Sequence, residues 1–209
     1  MILVALGAAT ASAVTDWWAV ATGRARVEAL AKPLVMICLI TAAVLIDADP
    51  ASARPWIVAG LIAGLFGDVF LLPQVDKFLA GLGAFLIGHG LYVIGLVQIG
   101  RSWTWLIVGI ACGIAMLATI GRSIILAVGS TSYAVPVTIY IAAVAALVVA
   151  GVATGRWPLA LGAAAFAFSD GLLGADKFVS PAPQRRVWIH VLYQLGQAGL
   201  VIGLATTFA

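Results

Sequence analysis

Residues 66–92 read FGDVFLLPQVDKFLAGLGAFLIGHGLY, and this stretch decides how the rest of the chain is read. Two apolar runs flank a break at Pro73 and Asp76-Lys77, the punctuation of one helix ending and another beginning. Within that hairpin-sized unit lie Asp68, Asp76, Lys77 and His89. Charge inside or against an apolar run is expensive in lipid, so it is there for function by default.

The composition places the hairpin in a membrane. Of 209 residues, 64% are hydrophobic and 9% charged, with a mean hydropathy of +1.16. So few charges cannot cover the surface of a water-soluble domain, so the chain reads as a polytopic α-helical membrane protein. The apolar runs are continuous rather than alternating with period two, which argues against a β-barrel. A net charge of +3 is too small and scattered for nucleic acid, and reads as loop charge that orients the protein. Cys38 and Cys112 lack any metal or redox spacing and read as small buried hydrophobes. The run from Ile2 to Val20 has no basic segment before it and is expected to be a retained helix.

With about 20 apolar residues per span, eight spans are expected, near 2–20, 30–47, 55–72, 77–98, 103–120, 133–152, 157–175 and 186–206. They form one domain over 1–209. The odd-numbered connections hold eight of the eleven Lys and Arg residues, and the even-numbered ones hold Arg54, Arg101 and Arg156. The positive-inside rule then puts the odd connections in the cytoplasm and both termini outside. Trp17, Trp18 and Trp188 fall at one interface and Trp56, Trp103, Trp105 and Trp157 at the other, as in an aromatic belt.

Self-comparison shows an internal repeat. FGDVFLLPQVDKF at 66–78 is answered by FSDGLLGADKF at 168–178, and His89-Gly-Leu-Tyr92 by His190-Val-Leu-Tyr193. The offsets are 102 for Asp68 and Asp170, 101 for His89 and His190, 100 for Lys77 and Lys177, and 103 for Pro33 and Pro136. The expected architecture is therefore a 4+4 parallel duplication, with halves near 1–100 and 101–209 around a central cavity. Asp68 and Asp170, each near the same end of its span, should face the seam.

Several polar residues gather on that side. Asp68 and Asp170 recur in both halves, which favours function over helix-end capping. Lys32 flanks the expected mouth, as a phosphate contact or as simple positive-inside charge. His89, about 18 Å into its span, reads as a proton carrier or a hydrogen-bonded core histidine. Tyr140 lies near that depth. Ser169 either orients Asp170 or packs as a small residue, and Gln194 and Gln197 line the cavity or join helices. His190, near Trp188 and Arg186, is expected in an interfacial structural role. Asp76-Lys77 and Asp176-Lys177 read as solvated ion pairs. There is no GxSxG elbow, no Walker motif, and too few histidines for a three-histidine zinc site. What is left suits acid–base chemistry on a lipid near its head group.

Taken together, Ala31-Lys32-Pro33-Leu34, Gly67-Asp68-Val69-Phe70-Leu71-Leu72, Phe78-x-x-Gly81-x-x-x-Phe85-x-x-Gly88-His89-x-x-Tyr92, Ser169-Asp170 and Tyr193-x-x-x-Gln197 resemble the YhhN-like membrane family. That resemblance, which does not extend to His190 or Gln194, implies an eight-span protein; the expected location is a bacterial inner membrane. It also implies hydrolysis of the vinyl ether bond of lysoplasmalogens, releasing a fatty aldehyde and a glycerophospho-base.

The residues suit that reaction. A general acid must protonate the β-carbon of the vinyl ether, and water then attacks the resulting oxocarbenium ion. Two aspartates in a low-dielectric cavity can divide the protonated and ionised roles between them. Asp68 and Asp170 are expected as acid and base, in either order, with His89 and Tyr92 orienting the base or water. Lys32, Tyr140, Ser169, Tyr193 and Gln197 complete the expected substrate site, with a lysophospholipid as ligand and no metal or organic cofactor required. The competing readings are a lipid-binding or transport protein with the same cavity, and a hydrolase of another lysophospholipid bond.

Overall fold

A computed structural model describes residues 1–205 of the chain. The described residues form eight long helices, in order α1 (Ile2–Ala21), α2 (Ala25–Leu45), α3 (Arg54–Phe70) and α4 (Phe78–Ile99), then α5 (Trp103–Val128), α6 (Ala134–Ala153), α7 (Trp157–Val179) and α8 (Arg185–Ile202). Pro55 and Pro158 sit in the first turns of α3 and α7, where the missing N–H costs nothing. Two helices contain a π-helical turn: α5 over Leu117–Gly121 and α7 over Ala175–Val179.

Six of these helices are long and apolar enough to cross a membrane: α1, α2, α4, α5, α6 and α7. The other two differ from the expected spans for separate reasons. Helix α3 has 17 residues, about 26 Å at helical rise against a hydrocarbon core of about 30 Å. Helix α8 carries Arg185, Arg186, His190, Gln194 and Gln197, which lower its hydropathy. Boundaries moved too: α2 begins at Ala25 rather than residue 30, and α5 extends to Val128 rather than 120. Residue 206, the expected end of the last span, lies outside the described residues.

The surface is inverted relative to a protein in water. Leu3, Leu30, Ile87, Ile107, Leu126 and Val135 are each more than 60% exposed, whereas Asp16, Glu28, Lys32, Asp68, His89 and Gln197 are buried. Charges inside and large aliphatics outside describe a multi-pass membrane protein, whose apolar face meets lipid. Cys112 is likewise exposed on that face rather than buried.

Neighbouring helices pack as hairpins, α1 on α2, α3 on α4, α5 on α6 and α7 on α8. The α7–α8 pair is the tightest where Gly162 meets Gly196. A Cβ on Gly196 would sit 2.8 Å from the Phe166 nitrogen and 2.9 Å from the Gly162 oxygen. In lipid, where apolar burial drives little association, such small-residue contacts let backbones close up. Between the halves Phe166, 1% exposed, is ringed by Phe85, His89, Tyr92 and Tyr193 with centroids 4.7–6.3 Å away.

The two ends of the bundle differ. At the end holding the even-numbered connections, the Asp49 amide donates to the Leu204 carbonyl and Arg156 reaches Asp49 at 3.5 Å and the Gly203 carbonyl at 3.4 Å. These contacts tie the α2–α3 connection, the start of α7 and the residues after α8 together. The polar cavity lies towards the opposite end.

Candidate functional site

Asp68 sits in the last turn of α3 and Asp170 in the second half of α7, and each takes a partner from a helix distant in the sequence. Asp68, on α3, is fully buried. Its Oδ1 lies 3.2 Å from Lys32 Nζ on α2, and its Oδ2 accepts a hydrogen bond of 2.8 Å from the Tyr193 hydroxyl on α8. Charge-assisted contacts of this kind compensate an ionised carboxylate.

Asp170, on α7, has a different environment. Its Oδ2 accepts from the Tyr140 hydroxyl at 3.0 Å and faces His89 Nε2 at 3.2 Å. The other ring nitrogen, Nδ1, lies 2.6 Å from the Phe85 carbonyl. A carbonyl can only accept, so Nδ1 carries a proton. Nε2 and Oδ2 therefore meet favourably only if one further proton sits on one of them.

Both carboxylates line one polar cavity of about 160 Å³, together with Lys32, Ser169 and Tyr193. Asp170 and Leu173 also line a second space, an apolar groove between α4, α5, α6 and α7. Its walls include Leu82, Ile120, Val137 and Phe178, and both π-helical turns border it. Such turns are frequent at functional sites because they shift which side chains face inward.

The expected residues gather unevenly. Asp68, Asp170, Lys32, Ser169 and Tyr193 share the cavity, with His89 and Tyr140 directly behind Asp170. Lys32 is not at the mouth but committed to Asp68, with a side chain only 9% exposed. The Ser169 hydroxyl donates to the Ile189 carbonyl at 2.8 Å, which pins α7 to α8 and does not orient Asp170. Tyr92 donates to Gln197 Oε1 at 2.6 Å; this buried pair crosses the bundle outside the cavity wall. Asp176 accepts the Ala182 amide at 2.6 Å, and Lys177 lies over the Phe78 ring at 5.0 Å.

A second polar network was not anticipated. Glu28, 2% exposed, takes two hydrogen bonds from Arg186 at 2.8 and 3.1 Å, and both line the cavity. His190 is buried rather than interfacial. Its Nδ1 lies 2.7 Å from Asp16 Oδ2, which also accepts from Gln194 Nε2 at 2.7 Å. Asp16 was detectable as an acid within the first apolar run; Glu28 was hidden by a span placed to begin at residue 30. Carboxylates outnumber cations around the cavity, with Asp68, Asp170, Glu28 and Asp176 against Lys32 and Arg186.

Comparison with known proteins agrees with the sequence resemblance. The sequence profile of the YhhN family matches residues 27–204. Proteins of Mycobacterium bovis and Mycobacterium tuberculosis, each named lysoplasmalogenase, are 30% identical over 167 residues, covering 76% of this chain. The match spans 62% of the length of those relatives. No solved structure matches the chain significantly. The residues that carry the resemblance, from Lys32 to Gln197, all fall within the matched region, and the chain belongs to the YhhN family.

Proposed function

We propose that the chain is a membrane hydrolase that opens the vinyl ether bond of lysoplasmalogens, releasing a fatty aldehyde and a glycerophospho-base. The observation that carries this reading is the position of Asp170, shared by an apolar groove and a polar cavity. A vinyl ether is the junction between an alkenyl chain and a glycerophospho head. With the chain in the groove and the head in the cavity, that junction lies at Asp170. The shared name of the mycobacterial relatives supports the same reading.

The chemistry divides between the two aspartates. Asp170, fed by the proton it shares with His89, delivers H⁺ to the β-carbon of the vinyl ether. The double bond's electrons form the new C–H bond, and the positive charge appears on the adjacent carbon and its ether oxygen. Asp68, paired with Lys32 and Tyr193, acts as the carboxylate that stabilises that cation and removes a proton from the attacking water. The hemiacetal then breaks its bond to the glycerol oxygen, which takes up a proton, and aldehyde leaves. Water is the only co-reactant. Tyr140 keeps Asp170 in place, and Tyr92 with Gln197 supports the wall behind. At the mouth, Arg186 takes the phosphate, while Glu28 and Asp176 receive an ammonium head group.

The architecture behind this reading is eight spans in a 4+4 duplication, α3 and α8 crossing with their polar faces turned inward. The exchange of partners supports it: Asp68 takes a hydroxyl donor from α8, and Asp170 takes its imidazole partner from α4. The closed end at Asp49, Arg156 and Gly203 weighs against a through-path for lipid transport. Purified protein given lysoplasmenyl ethanolamine should release free aldehyde and leave the acyl lysophospholipid intact. Binding of both lipids without aldehyde release would instead mark a lipid carrier.

A further inference from the structure

A second groove, distinct from the cavity that Asp68 and Asp170 line, runs between α1, α2 and α8 and has a volume of about 150 Å³. Its walls are apolar along most of their length, including Leu6, Ala13, Leu39 and Ile202. Trp17 and Gln194 also line it, and they differ from the rest in carrying buried polar atoms with no protein partner, Trp17 Nε1 and Gln194 Oε1. The orientation of Gln194 is chemically fixed. Its other terminal atom lies 2.7 Å from Asp16 Oδ2, a carboxylate oxygen that accepts, so that atom is the amide nitrogen. The groove is thus bordered by one unpaired donor and one unpaired acceptor, both beneath its surface. Residues 6 and 17 of α1 are about 16 Å apart at helical rise, with the polar atoms towards one end and Leu6 and Ile202 towards the other.

A buried donor and acceptor left unpaired are costly, so a ligand that satisfies both gains by binding beside them. A hydroxyl is the simplest group that does both, accepting from Trp17 Nε1 and donating to Gln194 Oε1. An ether, ester or hydrocarbon cannot donate. We propose that this groove is a second lipid site, taking a single-chain lipid whose polar end is a hydroxyl. Through Gln194 and Asp16 the site touches His190, which lines the main cavity, so its occupancy is linked to that cavity by a continuous hydrogen-bonded path. The proposal is independent of the hydrolase reading.

The test is photo-crosslinking of the intact chain in lipid nanodiscs. The probe is a long-chain primary alcohol with a diazirine in mid-chain, set against its methyl ether. The alcohol should label α1 and α8 peptides around Leu6 and Ile202 at least about fivefold more than the ether, the worth of one neutral hydrogen bond. Trp17→Phe keeps an aromatic side chain and removes the donor, and should cut labelling by the alcohol by a similar factor. Ala198→Leu, at a half-buried wall position, should lower it by filling the space. Equal labelling by alcohol and ether, or labelling indifferent to Trp17→Phe, would overturn the proposal and leave the groove to bulk lipid or a water molecule. Aldehyde release plays no part in the readout.

Discussion

In the proposed mechanism the chemistry of Asp170 depends on one proton, and His89 Nε2 lies 3.2 Å from its carboxylate. Asp170→Asn keeps the shape and loses the acid, so kcat should fall by about 10²–10⁴-fold, the usual contribution of a general acid. Asp68 answers to a different test. Lys32→Met leaves its carboxylate buried beside one hydroxyl, which should destabilise the fold by about 3–5 kcal/mol, as for other buried pairs broken on one side. Adding Asp68→Asn removes the stranded charge. Thermal unfolding in detergent should therefore show the double variant recovering most of the lost stability, and additive losses would mean that the pair is not coupled. Asp68 and Asp170 were legible in the sequence because the repeat marked both. Their partners were less so: Tyr193 and Tyr140 approach from helices 125 and 30 residues away in sequence. Asp16 and Glu28 were missed because a lone acid shows its role only when the helix opposite it is known.

Among the elements, the α7–α8 hairpin sets the distance between the two carboxylate environments. Gly196→Val places a methyl against the Phe166 backbone and must push α7 away from α8, separating Asp170 from the wall formed by Ile189 and Tyr193. Its melting temperature in detergent should drop and its aldehyde release should be lost together. Gly83→Ala on α4 is the control, since nothing lies within 4 Å of its added methyl; it should be neutral or stabilising by about 0.5–1 kcal/mol. A Gly196→Val protein as stable as the parent would show that close helix approach is not needed. Most helices could be read from apolar run length, and their ends from Gly, Pro and Arg. The π-helical turns at Leu117–Gly121 and Ala175–Val179 could not, because one extra residue in a turn of an apolar run leaves its mean hydropathy unchanged. The same blindness placed the end of α5 several residues early.

For the whole molecule, charge asymmetry and cavity position make linked claims. The connections after α1, α3, α5 and α7, together with the helix ends that flank them, lie at the cavity's end and hold eight of the eleven Lys and Arg residues, so that end should face the cytoplasm. In a background with Cys38 and Cys112 replaced by Ala, Gln74→Cys should react with an impermeant maleimide only after the cells are opened. Ser102→Cys should react in intact cells; the reverse pattern would invert the topology. The excess of carboxylates over cations around the cavity should also favour a head group with an ammonium. Arg186→Gln, which removes the proposed phosphate contact, one made equally in ground and transition states, should raise KM about tenfold with kcat held. A membrane fold and a paired site were visible in composition and repeat, but the meeting of groove and cavity at Asp170 exists only in three dimensions. The most direct test of the account is aldehyde release from lysoplasmenyl ethanolamine by the purified parent, Asp68→Asn and Asp170→Asn proteins. The account predicts turnover by the parent and its near-complete loss in both folded variants. Full aldehyde release by both variants would contradict it.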